Sequence, residues 1–250
     1  LLAAGIQQTY ADPFYGVADI ARGNGDPLPF ACSPYTWDER KLRDRLFGLA
    51  EPFYRKFLPI RQFKRKPGLT LGIVSRLTPI KQFPAMFELL SPVISRHPQV
   101  NLEIFGSGGY ASIRDLKQAL APIKRQVRFW GQQSNVAGVY GTLDYLLTGL
   151  PEREALGLNV IEAQQCGTPV LAVNAPPFTE TVLDKQTGYL FRDPREDKGM
   201  DFGRLVSALL DNSLPRPNPL AATDHLARFT FPAFTARVST ALKYAIDTAP

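Results

Sequence analysis

The sequence is poor in the residues that mark several common protein classes. Its two cysteines, Cys32 and Cys166, are too few for a disulfide framework, and no C-x-x-C spacing points to structural zinc or a redox pair. A reducing cytosol suits such a chain. No run of about 18 apolar residues exists, so no segment reads as a membrane-spanning helix. Residues 1–6 are too short for a secretory apolar core and have no basic flank before them. The two histidines, His97 after a helical stretch and His225 in the C-terminal tail, do not read as catalytic. What is present is ordinary for a globular chain. Its 250 residues are 44% hydrophobic and 21% charged, which excludes collagen, coiled coil and wholesale disorder and allows one large domain or two small ones.

Charge is unevenly placed. Between residues 40 and 66 there are ten Lys/Arg against Asp44 and Glu51 alone, so this window carries +8 and the rest of the chain −2. Aromatics interleave with it (Phe53, Tyr54, Phe57, Phe63). Such a window serves as a solvated linker, a face toward another domain, or a surface for an anionic membrane. Nucleic acid is not expected, because no nucleic-acid-binding motif accompanies it.

Residues 1–66 read as an irregular leader. It holds a turn-rich loop over 21–29 and a helix over 37–49 with Leu42, Leu46 and Leu49 on one side, then prolines at 52, 59 and 67. From Leu69 the pattern becomes regular. Strands are expected over 69–75, 101–105, 127–130, 143–147, 170–173 and 188–191. Helices are expected over 83–94, 110–120, 136–140, 158–166 and 178–182, then 202–210, 224–228 and 232–247. This alternation predicts an α/β, Rossmann-like parallel sheet with helices on both faces, ending in C-terminal helices, over residues 67–250. Such sheets bind ligands beyond the carboxyl ends of their strands.

Three features fall at those ends. Gly106-Ser-Gly108-Gly-Tyr-Ala111 fits the dinucleotide fingerprint literally, but the next strand ends Phe129-Trp130-Gly131-Gln132, without the acid that would hold a ribose. These glycines instead read as room for a ligand or a neighbouring backbone. Arg76 and Lys81 follow the first strand, where two cations five residues apart can converge on a diphosphate. After the fourth strand, Glu154 and Glu162 bracket Gly157, which opens a helix closed by Gly167 at the position that favours a left-handed residue. The N–H groups of Leu158 and Asn159 begin that helix, a setting that receives anions. Glu162 lies on a largely apolar helix and needs partners, for which ligand hydroxyls would serve.

Ser75-Arg76-Leu-Thr-Pro-Ile-Lys81-Gln and Glu154-Ala-Leu-Gly-Leu-Asn-Val-Ile-Glu162-Ala-Gln-Gln-Cys-Gly-Thr-Pro-Val170 together resemble the donor-binding half of a GT-B glycosyltransferase, the retaining group 1 or family four in particular. Leu102–Gly108, Val127–Gly131 and Thr187–Leu190 fall in order where that family carries L-x-I-x-G-x-G, V-x-F-x-G and T-G-x-L. The sequence departs from the family at Ser75, Gln82 and Ala155-Leu156, where glycine, glycine and Gly-Phe are usual. The resemblance implies a hexosyltransferase that moves a sugar from a nucleotide-diphosphate sugar to a glycan or lipid-linked acceptor. It implies no metal or other cofactor, and the sequence holds no Asp-x-Asp. Arg76 and Lys81 would hold the diphosphate and stabilise the leaving charge. Gly157, Leu158 and Asn159 would contact phosphate and sugar through their backbone. Glu162 would grip the ribose, Glu154 would orient the donor sugar, and Gln132 and Gln133 would meet the base. Gly23-Asn-Gly-Asp26 resembles the family's N-G-x-D turn, and the final helix, with Phe234, Val238, Leu242, Tyr244 and Ala245 on its stripe, resembles its helix that crosses to the acceptor domain. A GT-B enzyme has two such domains, so the expectation is one donor half, cytoplasmic or peripheral at the inner membrane face. Alternatives are a non-catalytic nucleotide-sugar-binding module, or an epimerase or phosphorylase relative. The epimerase would need catalytic acids and a histidine that are not found.

Overall fold

The computed structural model describes residues 20, 28–38, 40, 42–55, 62–152 and 154–247, apart from the side chains of Arg43, Tyr54 and Arg55. The Gly23–Asp26 turn, Phe57, and Lys41, Lys56 and Arg61 of the basic window lie outside them.

One helix precedes the sheet, α1 (Leu42–Arg55). Then β1 (Leu69–Val74), α2 (Phe83–Ile94), β2 (Val100–Phe105), α3 (Tyr110–Ala119), β3 (Val127–Gly131), α4 (Val136–Gly141), β4 (Tyr145–Leu147), α5 (Leu158–Gln165), β5 (Val170–Val173), α6 (Phe178–Thr181) and β6 (Gly188–Phe191) alternate. Four helices close the described chain: α7 (Pro194–Asp197), α8 (Met200–Leu210), α9 (Thr223–Ala227) and α10 (Phe231–Asp247). The strands form one six-stranded sheet in the order β3-β2-β1-β4-β5-β6, every pairing parallel. The order reverses between β1 and β4, the switch point at which doubly wound sheets open a crevice.

The sequence explains the layers. Every residue of β2 and β5 is buried, so both faces of the sheet are covered. In α2, Met86, Leu90, Val93 and Ile94 recur at helical spacing and all are buried against the sheet's core. Glycine is required where backbones meet. A Cβ at Gly106, whose φ is +131°, would lie 1.9 Å from the Ser75 carbonyl oxygen, and one at Gly108 would lie 2.1 Å from that of Leu77. The glycine loop is therefore held by its neighbours: Leu77 N–H donates to Ser107 O, Gly108 N–H to Pro34 O, and Thr36 N–H to Gly108 O.

Three expectations shift. The first helix runs over Leu42–Arg55 rather than 37–49, and Pro52 lies inside it. Proline removes one N–H and does not end every helix. Leu42, Leu46 and Leu49 face solvent, whereas Asp44 and Glu51 are the buried residues among the described side chains of this helix, with the Trp37 indole donating to Glu51 at 2.5 Å. The fourth strand shortens to Tyr145–Leu147, because Leu143 packs over Gly72 instead of pairing. The short α7 was legible in principle, since Asp193 caps it by accepting from Arg195 N–H and proline follows at its first position. The division at residue 67 stays an expectation. The structure adds that Phe63 belongs to the core and that Cys32 N–H donates to Trp130 O, so parts of the leader pack on the sheet.

His225 on α9 is a buried structural residue. Its Nε2 lies 3.0 Å from the Thr181 carbonyl, and its Nδ1 is buried without a partner among the described residues. Desolvation, aided by Arg228, holds its pKa below the ordinary value. The unfolded chain takes up this proton near pH 6.5 and the folded chain only at lower pH, so stability is expected to fall as pH drops below about 6.5. Thermal unfolding at pH 7.5 and 5.5 checks this: His225→Gln should lose less stability than wild type between the two.

Candidate functional site

A cleft of about 650 Å³ opens at the carboxyl ends of β1, β2 and β3. Ser75 and Arg76 follow β1, Gly106–Gly109 follow β2, and Gln132 and Gln133 follow β3. Tyr140 of α4 and Glu162 of α5 line it, and Thr36, Trp37 and Asp38 of the leader add a wall. The cleft thus brings together Arg76, Gln132, Gln133 and Glu162. It does not include Lys81, Glu154, Gly157, Leu158 or Asn159 among its lining.

Those five lie beside it. Lys81 ends a short 3-10 turn, and its Nζ is ion-paired with Glu154 Oε2, both side chains being mostly buried. The two loops meet because Gly149 allows it: a Cβ there would lie 2.5 Å from the Lys81 carbonyl oxygen. Gly157 takes φ +78° and opens α5, as expected, and Gly167 takes φ +81° just after it. Asn159 Nδ2 donates to Val74 O at 3.1 Å, which ties the start of α5 to the end of β1, next to Arg76. Arg76 is exposed and forms no ion pair among the described residues.

Gln133 is engaged structurally. Phe30 N–H donates to its Oε1 at 3.3 Å, and its Nε2 donates to Phe30 O and Trp130 O, each at 2.8 Å. Both ends of its amide are therefore taken by backbone, while Gln132 stands exposed. Gln82 stands where the resembled family has glycine, and it takes the left-handed φ of +53°. Its Oε1 is buried without a partner among the described residues. Gln82→Gly is expected to raise unfolding free energy by about 0.5–1 kcal/mol, measured by denaturant titration, because glycine adopts this conformation without strain.

Sequence reasoning missed Tyr140. Its ring is fully buried and its hydroxyl donates to Glu162 Oε2 at 2.9 Å. Burial, reinforced by the Glu162 carboxylate, pushes the phenol's pKa far above its ordinary value, so it stays a donor. One oxygen of Glu162 is thereby fixed, and the other has no hydrogen-bond partner among the described residues. The sequence carried no signal for this, since Tyr140 reads as an apolar position of a short helix. Tyr140→Phe is expected to remove about 1.5–3 kcal/mol of hydrogen-bond stabilisation at the carboxylate. Denaturant titration checks the structural share of this loss, and ligand titration the share felt by a bound nucleotide.

Fold and cleft together define a doubly wound α/β domain with a cleft at the carboxyl ends of its strands. The chain belongs to the glycosyl transferases group 1, whose family model matches residues 55–219. A D-inositol 3-phosphate glycosyltransferase of Stackebrandtia nassauensis is 32% identical over 181 residues, covering 66% of this chain and 39% of that protein. A GDP-mannose-dependent monoacylated alpha-(1-6)-phosphatidylinositol monomannoside mannosyltransferase of Corynebacterium glutamicum is 30% identical over 168 residues, covering 61% of this chain and 42% of that protein. The chain thus spans about two fifths of the length of the curated relatives it matches. Among solved structures, the C-terminal domain of a glycosyl transferase group 1 family protein from Francisella tularensis superposes with TM-score 0.53 at 20% identity, covering 66% of this chain and 88% of that one. Anabaena HepE, solved with UDP and glucose, superposes with TM-score 0.57 at 21% identity, covering 71% and 48%. These likenesses show the shared Rossmann-like fold of GT-B glycosyltransferases.

Proposed function

We propose that this chain carries the donor site of a retaining GT-B glycosyltransferase, which transfers a sugar from a nucleotide-diphosphate sugar to a glycan or lipid-linked acceptor. The observation that carries this reading is the convergence of Arg76 and a Tyr140-fixed Glu162 on one cleft, with the Lys81–Glu154 pair at its side. In this reading Glu162 accepts the ribose hydroxyls through its remaining oxygen. The N–H groups at the start of α5 and the Arg76 guanidinium meet the diphosphate, and Lys81 turns from Glu154 to it. The departing diphosphate gains negative charge as the sugar leaves, and preorganised cations stabilise that charge. Glu154, released from Lys81, is then free to orient the donor sugar. Gln132 rather than Gln133 is the side chain open to the base. The cations supply the charge compensation here, and no metal is part of the proposal. The related HepE structure contains UDP and glucose, and one relative is named for GDP-mannose, which supports a nucleotide-sugar ligand without fixing its base.

Calorimetric titration of UDP, GDP, ADP and their sugars into the 250-residue chain tests the reading. Saturable binding of at least one nucleotide is expected. Absence of binding by every one of them would overturn the donor site. We also propose, from the basic window, peripheral association with an anionic membrane. Among the described residues no helix is long and apolar enough to cross one.

A further inference from the structure

Helix α1 is built the wrong way round for a helix packed on a core. Leu42, Leu46, Leu49 and Phe53 are 69%, 59%, 67% and 72% exposed. At 100° per residue these four positions fall within an arc of about 60°. The opposite side carries Asp44 and Glu51, which are 3% and 9% exposed. Each is satisfied inward: Asp38 N–H donates to Asp44 Oδ2 at 3.3 Å, and the Trp37 indole donates to Glu51. Both acids of the 40–66 window are therefore turned into the protein. The exposed charges that remain among its described residues are the cations Arg40, Arg45, Lys64 and Arg65, the last of them ion-paired with Asp144.

We infer that α1 is a docking element for an anionic lipid surface, with its Leu/Leu/Leu/Phe stripe entering the headgroup boundary and its cations against the phosphates. Charge complementarity selects this occupant. An exposed apolar stripe with Arg45 beside it, in a segment rich in cations, fits an interfacial helix, which combines apolar burial with attraction to anionic lipid. The helix is also coupled to the cleft. Phe47 of α1 stacks on Trp37 at 5.9 Å and on Tyr110 at 6.5 Å, and Trp37 lines the cleft wall. The inference rests on the membrane part of the proposed function, but it is read without donor or acceptor, so its failure leaves the donor site standing.

The test is co-sedimentation of the chain with vesicles of phosphatidylcholine alone and of phosphatidylcholine mixed with phosphatidylserine, at low and physiological salt. Wild type is expected to pellet with the mixed vesicles and to weaken as salt rises. Leu46→Glu/Leu49→Glu should lose pelleting while keeping its thermal unfolding midpoint, since both side chains already face solvent. Arg45→Glu should weaken it without touching the stripe. Equal binding to neutral vesicles, or unchanged binding by the double variant, would overturn the assignment. So would a concentration-dependent dimer abolished by the double substitution and no vesicle binding, which would give the stripe to a second copy.

Discussion

With alanine at both Arg76 and Lys81, the chain is expected to bind nucleoside diphosphates about 100-fold more weakly than wild type by calorimetry. Hydrogen bonds to charged groups contribute about 1.5–3 kcal/mol each, so two lost phosphate contacts amount to two decades or more. The two residues start from different states. Arg76 stands exposed at the cleft, so its truncation removes only ligand contacts. Lys81 is paired with Glu154, so its truncation also leaves a mostly buried carboxylate beside the phosphate path. Glu154→Gln separates the two effects: it frees Lys81 and should keep diphosphate affinity within about a few-fold of wild type. A nucleoside without phosphates should bind wild type and the double variant alike. Unchanged diphosphate affinity in the double variant would refute the assigned phosphate site.

Arg128→Ala is expected to cost about 3–5 kcal/mol of unfolding free energy, a large share of the stability of any domain this size. Glu103 on β2, next to the edge strand β3, is 0% exposed. Its carboxylate receives Arg128 Nε at 2.9 Å and Nη2 at 2.5 Å, and the Trp130 indole at 2.6 Å. The Arg128 guanidinium also lies over the rings of Phe63 and Trp130, at 5.2 and 5.1 Å from their centres. Removing the cation leaves a buried carboxylate whose charge nothing else compensates as well. Replacing both partners, as in Glu103→Leu/Arg128→Leu, should recover part of the loss, because no charge then remains buried. Urea titration of the single and double variants distinguishes the cases. A single variant within 1 kcal/mol of wild type would show that the pair is not a stabilising unit.

The regular region was readable because its two periods differ sharply. Apolar runs such as Leu69-Thr-Leu-Gly-Ile-Val74 stay buried on both faces, and Met86, Leu90 and Val93 mark one side of a helix. Glycines at Gly157 and Gly167 marked the ends of α5, because they hold left-handed backbone. The leader was less readable. Leu42, Leu46 and Leu49 look like a core stripe by spacing, yet spacing does not say which side of a helix meets the protein. The Trp37 indole decides it, by drawing Glu51 inward while Phe47 stacks on the Trp37 ring.

The candidate site divides in the same way. Chemical type and strand-end position picked out Arg76, Lys81, Glu154 and Glu162 from the sequence alone. Pairing was not readable, because it joins residues far apart in the chain: Lys81 with Glu154, Glu162 with Tyr140, and Glu103 with Arg128. The sequence by itself determined an α/β sheet with charged candidate residues at the strand ends, since hydrophobic period, turn glycines and charged residue types are local properties. Only the tertiary structure decided which groups are free to meet a ligand and which are already held, as with Gln132 open and Gln133 engaged by Phe30 and Trp130. That distinction is set by burial and by the partners the fold brings within hydrogen-bond reach, and no window of sequence contains them.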